Sequence, residues 1–403
     1  MNESGINMLF CFEYFPYPER GGISNVSIRL SRYFREKCGM KCYCLCTAIE
    51  KQCRNLEVFD GYIVIENNKT AISEIRKYIV SEQIEILLFQ VVWNIELFKL
   101  VYAAQRGTDC RMISAVHGLP GQFFYNLKKY IEQEKPRNCK ERIIKCFKPV
   151  YLSYVYHKFK KYNHFIYNRS DAFVALTEAN RRNYMDFYRI KDTGKFTVIP
   201  NPLSYDEFID AGGVQNKEKT VLVVARFEES VKRLSYVLEI WHRIENKGVA
   251  DWKLVIVGDG DDKDLYLELS RRLGLKNISF EGRRNPLDYY RKSAVFLMTS
   301  LFEGFGVTLT EAQQMGVVPM AMDSFDAVHD IIVHGESGLI IPDNDLDAYA
   351  EDLYCLIVDK AYRERLALNA IEQSKNFSID TVAFKWCSLF KNLVRSCQDR
   401  KKE

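Results

Sequence analysis

The 403-residue sequence contains twelve cysteines but no Cys-x-x-Cys pair. Without that spacing there is no framework for a structural zinc or a thioredoxin-type redox site. Met1 to Pro16 lacks both a basic n-region and a clean apolar h-region, so nothing marks the chain for export, and its thiols are expected to stay reduced. A long uninterrupted apolar run is missing too. The most apolar stretch, "IEILLFQVVWNIELFKLVYAA", is broken by Glu85, Glu96 and Lys99, whereas a membrane-crossing helix needs ~18 or more residues with few charges. A soluble, cytoplasmic protein is therefore expected. The glycine fingerprint of a dinucleotide fold is also incomplete: Gly258 and Gly260 follow an apolar run in "VGDGDD", but Lys263 stands where the third glycine belongs.

What is present is enough apolar residue, 47%, for two cores of ordinary size. Cys42, Cys44 and Cys46 alternate within "KCYCLCTA" and so share one face of a strand, a packing pattern rather than a metal site. The net charge of +4 is unevenly spread. Residues 121–170 hold twelve Lys and Arg against three acidic residues, a local +9 that leaves −5 for the rest, and the same window holds twelve Phe and Tyr. A solvated helical insertion explains such a segment. So does an anionic membrane surface, met by cationic stems and by rings at the headgroup level. Stacking on single-stranded nucleic acid is the third reading, and no nucleic-acid partner is expected, because nothing else in the chain resembles a nucleic-acid module.

Short apolar runs alternate with helical patterns. "NMLFCFEYF", "KCYCLCTA", "GYIVIE", "EILLFQ", "MISAVH" and "AFVALT" read as strands, and Val26, Leu30, Tyr33 and Phe34 mark one helical face between two of them. After "VIPNPLSYDEF" the pattern restarts with "TVLVVARF", a helix over Leu234, Val237, Leu238, Trp241 and Ile244, then "WKLVIVG", "NISFEG", "AVFLMTS", "VVPMAM" and "GLIIP". Two α/β units, each a doubly wound parallel sheet, are predicted. "AGGVQNKEK", Ala211 to Lys219, has the composition of a linker.

Ligands of such sheets collect beyond the carboxyl ends of strands, at loops leading into helices. Gly21 and Gly22 in "YPERGGISN" lie at one such turn; they let backbone approach a bulky ligand, or they are a flexible turn. Arg226 at a strand end and Lys232 six residues on suit a diphosphate, or form a solvated charge pair. Asp259 and Asp261 read as a turn rather than a metal pair. In "SLFEGFGVTLTEAQQMG" a helix is predicted to begin near Val307 or Thr308, offering the N–H groups of Gly306, Val307 and Thr308 to phosphate oxygens. Glu303 precedes that helix, facing the reactive end of a ligand or merely solvent. Glu311 lies one turn inside it, where it can accept hydrogen bonds from a diol or serve as an early-helix acid.

"FEGFGVTLTEA" resembles the Glu-x7-Glu signature of retaining glycosyltransferase family 4, the glycosyl transferases group 1. The resemblance extends in order through "PERGGISN", "AVHG", "FVALTEANRRNYM", "VIPNPLSYDEF", "VVARF" with Lys232, "LVIVGDG", "FEG" and "GESGLIIP". It implies the GT-B fold: two Rossmann-like domains facing across a cleft, here residues 1–203 for the acceptor and 204–375 for the nucleotide-sugar. Residues 119–168 would be a basic aromatic insertion, and the C-terminal helix, 376–403, would cross back to the first domain. It further implies that Arg226 and Lys232 bind the donor diphosphate with Gly21, Gly22, Phe305, Gly306, Val307 and Thr308, and that Glu311 holds the ribose. Glu303 and His117 would act at the donor sugar, and Asn201 would mark the passage between domains. No cofactor and no metal are expected, because fixed cations and N–H dipoles can stabilise the departing diphosphate. The implied activity is retaining transfer from a nucleotide-sugar, UDP-sugar favoured over GDP-sugar, to a glycan or polyprenyl-linked acceptor in cell-envelope, capsular or O-antigen polysaccharide biosynthesis. The inner face of the cell membrane would be a peripheral location. A non-hydrolysing sugar-nucleotide epimerase and an inactive sugar-nucleotide-binding protein share the frame. The sequence departs from the family at "AMDSFDAVHDIIVHGESGLII", where Asp330 is the candidate for a glutamate's place, and at Arg233, where glycine often follows the lysine.

Overall fold

The computed structural model describes residues 5–399 except 18–20, 51–56, 67, 91–93, 119, 121–123, 125–126, 129–130 and 133–138. It divides into two compact units, 1–202 with 382–403, and 203–381.

In the first unit seven strands form one sheet: β1 (Asn7–Cys11), β2 (Lys41–Cys46), β3 (Gly61–Val64), β4 (Ile86–Phe89), β5 (Arg111–Val116), β6 (Ala172–Ala175) and β7 (Phe196–Val198). Their order is β3-β2-β1-β4-β5-β6-β7, and every pairing is parallel. Parallel strands need crossover connections, whose helices cover both faces, so the central strands are apolar throughout. β4 and β6 are buried at every position, and β2 from its second residue on, which settles Cys42, Cys44 and Cys46 as core. The helix Gly22–Cys38 turns Val26, Leu30 and Phe34 inward and ends at Gly39, left-handed at φ 62.

The second unit repeats the plan with β8 (Thr220–Val224), β9 (Lys253–Val257), β10 (Ile278–Gly282), β11 (Val295–Met298), β12 (Val318–Asp323) and β13 (Leu339–Pro342). The order is β10-β9-β8-β11-β12-β13, again all parallel. Its helix Leu234–Asn246 buries Leu234, Val237, Leu238, Trp241 and Ile244, the face that the periodicity marks. The α/β, doubly wound expectation therefore holds for both sheets.

Three readings change. The segment with a linker's composition contains a helix, Ala211–Gln215, because the Asp210 carboxylate caps Gly213 N–H at 2.8 Å and Val214 enters the second core. β7 is a strand the sequence reading passes over; its three half-buried residues are too few to show alternation. The basic aromatic segment is not a solvated insertion over its second half. Its helix Lys148–Arg169 lies in the crossover from β5 to β6 and buries Val155, Ile166 and Tyr167, the last two in the first core. Much of its first half, within 119–138, lies outside the described residues. Among those described, no helix is long and apolar enough to cross a membrane.

Candidate functional site

Where strand order reverses in an open parallel sheet, the loops beyond the strand ends diverge and leave a crevice for ligands. In the second unit that point lies between β8 and β11, and a small cavity there has Lys232 and Glu303 in its wall. Lys232 Nζ donates to Glu303 Oε1 at 2.5 Å, both side chains being mostly buried. The two residues come from different segments, Lys232 from the end of the short helix Glu229–Lys232 after β8 and Glu303 from the loop after β11, and backbone bonds hold those segments together. Leu301 N–H donates to the Val231 carbonyl at 2.7 Å, and the Thr299 hydroxyl lies 2.9 Å from the Lys232 carbonyl and 3.0 Å from that of Arg233.

Arg233 explains the departure from glycine. It is left-handed at φ 48, a conformation that favours glycine. Its guanidinium is buried, donating to the Thr299 carbonyl at 2.7 Å and to Asp343 Oδ1 at 2.7 Å. The side chain thus fastens the end of β11 to the loop after β13.

Gly306, at φ 97, caps the helix Val307–Gln314, whose first N–H groups face the same end of the sheet. Glu311 sits one turn into that helix and is buried. It accepts from the Ser204 hydroxyl at 2.5 Å and from the Tyr290 hydroxyl at 2.9 Å. Burial pushes its carboxyl above the usual range, and the two hydroxyl bonds pull it back. Two of a carboxylate's roughly four acceptor positions are used, leaving capacity for a ligand hydroxyl. Glu303 and Glu311 therefore have separate partners. Phe305 points away from this work: its ring is buried edge-on to Phe377, 5.5 Å between centroids, and anchors the loop. Arg226 lies beyond the end of β8 with an exposed guanidinium paired to Glu228.

Gly258 is a glycine for a packing reason. A side chain at Gly258 would stand 1.8 Å from the Ala225 carbonyl oxygen, so the loop after β9 must pass the end of β8 with bare backbone. Asp259 accepts from Gly260 N–H at 3.0 Å, as a turn residue does.

In the first unit the reversal lies between β1 and β4. Gly21, at φ 118, precedes the helix Gly22–Cys38, and a side chain at either glycine would meet no other atom within 4 Å. His117 follows β5, its Nε2 bonded to Gln90 Oε1 just after β4. The other ring nitrogen, Nδ1, is buried and makes no hydrogen bond among the described residues. Burial lowers the imidazole to about 4, so the ring is neutral at physiological pH.

Sequence reasoning missed Ser204 and Tyr290 as the partners of Glu311. Ser204 lies inside "VIPNPLSYDEF", quoted for its family likeness alone, and Tyr290 carries no motif at all. A cavity of about 470 Å³ involving Ile84, Glu85, Thr108 and Cys110 lies at the opposite, amino-terminal ends of β4 and β5 and is unrelated to these groups.

Residues 204–373 match the family described as glycosyl transferases group 1. The chain is 26% identical over 232 residues to the amylovoran biosynthesis glycosyltransferase AmsD of Erwinia amylovora, covering 56% of this chain and 64% of that one. It is 26% identical over 220 residues to the Campylobacter jejuni GalNAc-alpha-(1->4)-GalNAc-alpha-(1->3)-diNAcBac-PP-undecaprenol alpha-1,4-N-acetyl-D-galactosaminyltransferase, covering 54% and 59%. These matches thus span about three-fifths of the length of the relatives. Anabaena HepE in complex with UDP superposes with a TM-score of 0.70 at 12% identity, covering 96% of this chain and all of that one. That likeness bears on the fold, which is of the GT-B class. The family match covers most of the second unit, and over those residues the chain is similar to the glycosyl transferases group 1.

Proposed function

We propose that this chain is a retaining glycosyltransferase that takes a nucleotide-sugar, a UDP-sugar by preference, and passes the sugar to a glycan or polyprenyl-linked acceptor of cell-envelope polysaccharide biosynthesis without a metal ion. The observation that carries the reading is the Lys232–Glu303 pair at the second sheet's reversal point, inside the Glu-x7-Glu segment. The activities of the Erwinia and Campylobacter relatives, as their names give them, and the UDP in HepE support the acceptor and donor classes.

In the proposed reaction the glycosyl–phosphate C–O bond breaks and a C–O bond to the acceptor hydroxyl forms on the same face. The acceptor's proton passes to the departing phosphate oxygen, and a nucleoside diphosphate leaves. Growing negative charge on that group is met by Lys232, by Arg226 once it swings from Glu228, and by the N–H groups of Gly306, Val307 and Thr308. Glu303, released from Lys232 by the diphosphate, is free to hold the donor sugar's hydroxyls. Glu311 takes the ribose diol.

Incubation of the full chain with UDP-, GDP- and ADP-sugars in chelator tests this. A rise in melting temperature with one donor, and its turnover without divalent metal, are expected. Glu303→Gln should lower turnover by about 100-fold, the range for loss of one transition-state partner. Strict dependence on Mg²⁺ or Mn²⁺, or an unchanged rate in Glu303→Gln, would overturn the mechanism. Conversion of the donor to an epimer with no acceptor present would assign an epimerase instead.

A further inference from the structure

The helix Lys148–Arg169 is apolar on two sides, and one side suffices for the core. Two i to i−4 bonds join it to the preceding helix, Cys139–Cys146, across Phe147, which leaves helical geometry at φ −107 and ψ 30: Phe147 N–H donates to Ile143 and Tyr151 N–H to Phe147, both at 3.0 Å. Along these two joined helices Ile143, Phe147, Val150 and Tyr154 stand at i, i+4, i+7 and i+11, the spacing of one face. Each is between 60% and 69% exposed. Val155 and Ile166, which face the protein, lie on the opposite side and are buried. Lys161 continues the exposed stripe and Lys158 borders it, both exposed to solvent. Glu141 is the single acidic residue between positions 139 and 169, and the helical period turns it to the far side.

We infer that the stripe from Ile143 to Lys161 is a docking face for an anionic lipid bilayer. Branched and aromatic side chains along one face of two joined helices, with exposed cations beside them and the Glu132 carboxylate paired to Lys148, match a surface that is negative at the headgroups and apolar beneath. The sequence locates this property in charge and composition over 121–170; the structure moves it to one helical face and gives the apolar stripe the larger part. A docked helix of this kind lies in the plane of the interface, consistent with the lack, among the described residues, of any helix able to cross it. The inference is independent of the transferase reading, since donor turnover is measured in solution without lipid.

Co-sedimentation of the full chain with vesicles tests it, using equal parts phosphatidylglycerol and phosphatidylcholine against phosphatidylcholine alone. Binding to the first and not the second is expected, weakening as salt is raised. Neutralising Lys158 and Lys161 with glutamine should cost about fivefold each. Phe147→Ser combined with Val150→Asn should cost roughly tenfold or more through lost apolar contact. These side chains leave the core untouched, so melting temperatures should not change. Phe147→Trp, a gentler variant, should show blue-shifted emission with anionic vesicles. No binding by the unaltered chain, pelleting of the serine–asparagine double variant equal to that of the unaltered chain, or no spectral shift in the pelleted tryptophan variant would overturn the inference. A dimer that the apolar variant converts to a monomer, or retention of a single-stranded oligonucleotide without vesicle binding, would assign the face to a second copy or to nucleic acid and overturn it equally.

Discussion

A left-handed backbone costs a residue with a side chain about 1–2 kcal/mol, a strain that glycine does not bear. Arg233 accepts that cost at φ 48 and offsets it with a buried guanidinium held by Thr299, Asp343 and Asn344. Arg233→Gly would relieve the strain but leave the Asp343 carboxylate and the carbonyls at the end of β11 without their donor. Losing one partner of a buried pair costs about 3–5 kcal/mol, so a net destabilisation of about 2 kcal/mol or more is expected. Urea melts of the variant would measure it, and an equally stable variant would show that the pair contributes nothing. His117 gives the other residue-scale prediction. Its folded pKa, about 4, lies below its ordinary 6.5, so between those values the unfolded chain binds the extra proton. The contribution of this ring to stability is therefore complete above pH 6.5 and is lost as pH falls toward 4. Comparing pH-dependent melts of the chain and of His117→Phe would isolate it, because the variant should lack that fall.

At the scale of elements, the helix Val307–Gln314 has a defined role at each end. Its first turn offers N–H groups, and beyond its last turn Lys217 Nζ donates to the carbonyls of Met315 at 2.6 Å, Tyr290 at 2.7 Å and Arg291 at 2.9 Å. Burial lowers this lysine to about 7. Because the amine joins two helix ends, Lys217→Met should loosen both, with each orphaned buried carbonyl costing about 1–3 kcal/mol. Hydrogen exchange would report it as faster opening in Leu287–Lys292 and Val307–Gln314, and unchanged protection there would refute the lysine's role. Lys217 also shows where sequence reading stops. The twelve strand-like runs are legible because parallel strands are apolar throughout, and the start of Val307–Gln314 is legible from Gly306. The lysine sits within a stretch whose composition reads as loop, and the value of its charge depends on carbonyls some 70 to 100 positions away. Glu311 is the same case: its helix and inward face follow from spacing, but its hydroxyl partners at 204 and 290 are brought by folding. Phe305 illustrates the converse, since its place in the motif suggests ligand contact while Phe377, a distant residue, claims the ring.

For the whole molecule, the first unit is discontinuous along the chain, because Val382–Glu403 belongs with 1–202. The helix Ile379–Asp399 sets Phe390 edge-on to Phe34 at 5.5 Å, and Cys387 Sγ lies 3.7 Å from Cys38 Sγ. Val382, Ala383, Trp386 and Phe390 are all buried. Ending the chain at Thr381 would therefore strip apolar cover from the first unit while leaving every residue of the second. Each large apolar side chain lost from a buried position is worth about 1.5–3 kcal/mol, and three of these four are large. Against a typical total stability of about 5–15 kcal/mol, that loss should leave the first unit marginal or unfolded. Calorimetry of the truncated chain is expected to show the first unit's transition shifted down or gone and the second unit's nearly in place. Binding of UDP by the truncated chain, followed through the surviving transition, should persist if the nucleotide contacts are those of Lys232, Glu311 and the start of Val307–Gln314. Glycosyl transfer should be lost with the first unit, since His117 and the proposed acceptor side go with it. A single transition lowered as a whole would mean that the two units unfold as one cooperative body and that the helix stabilises both.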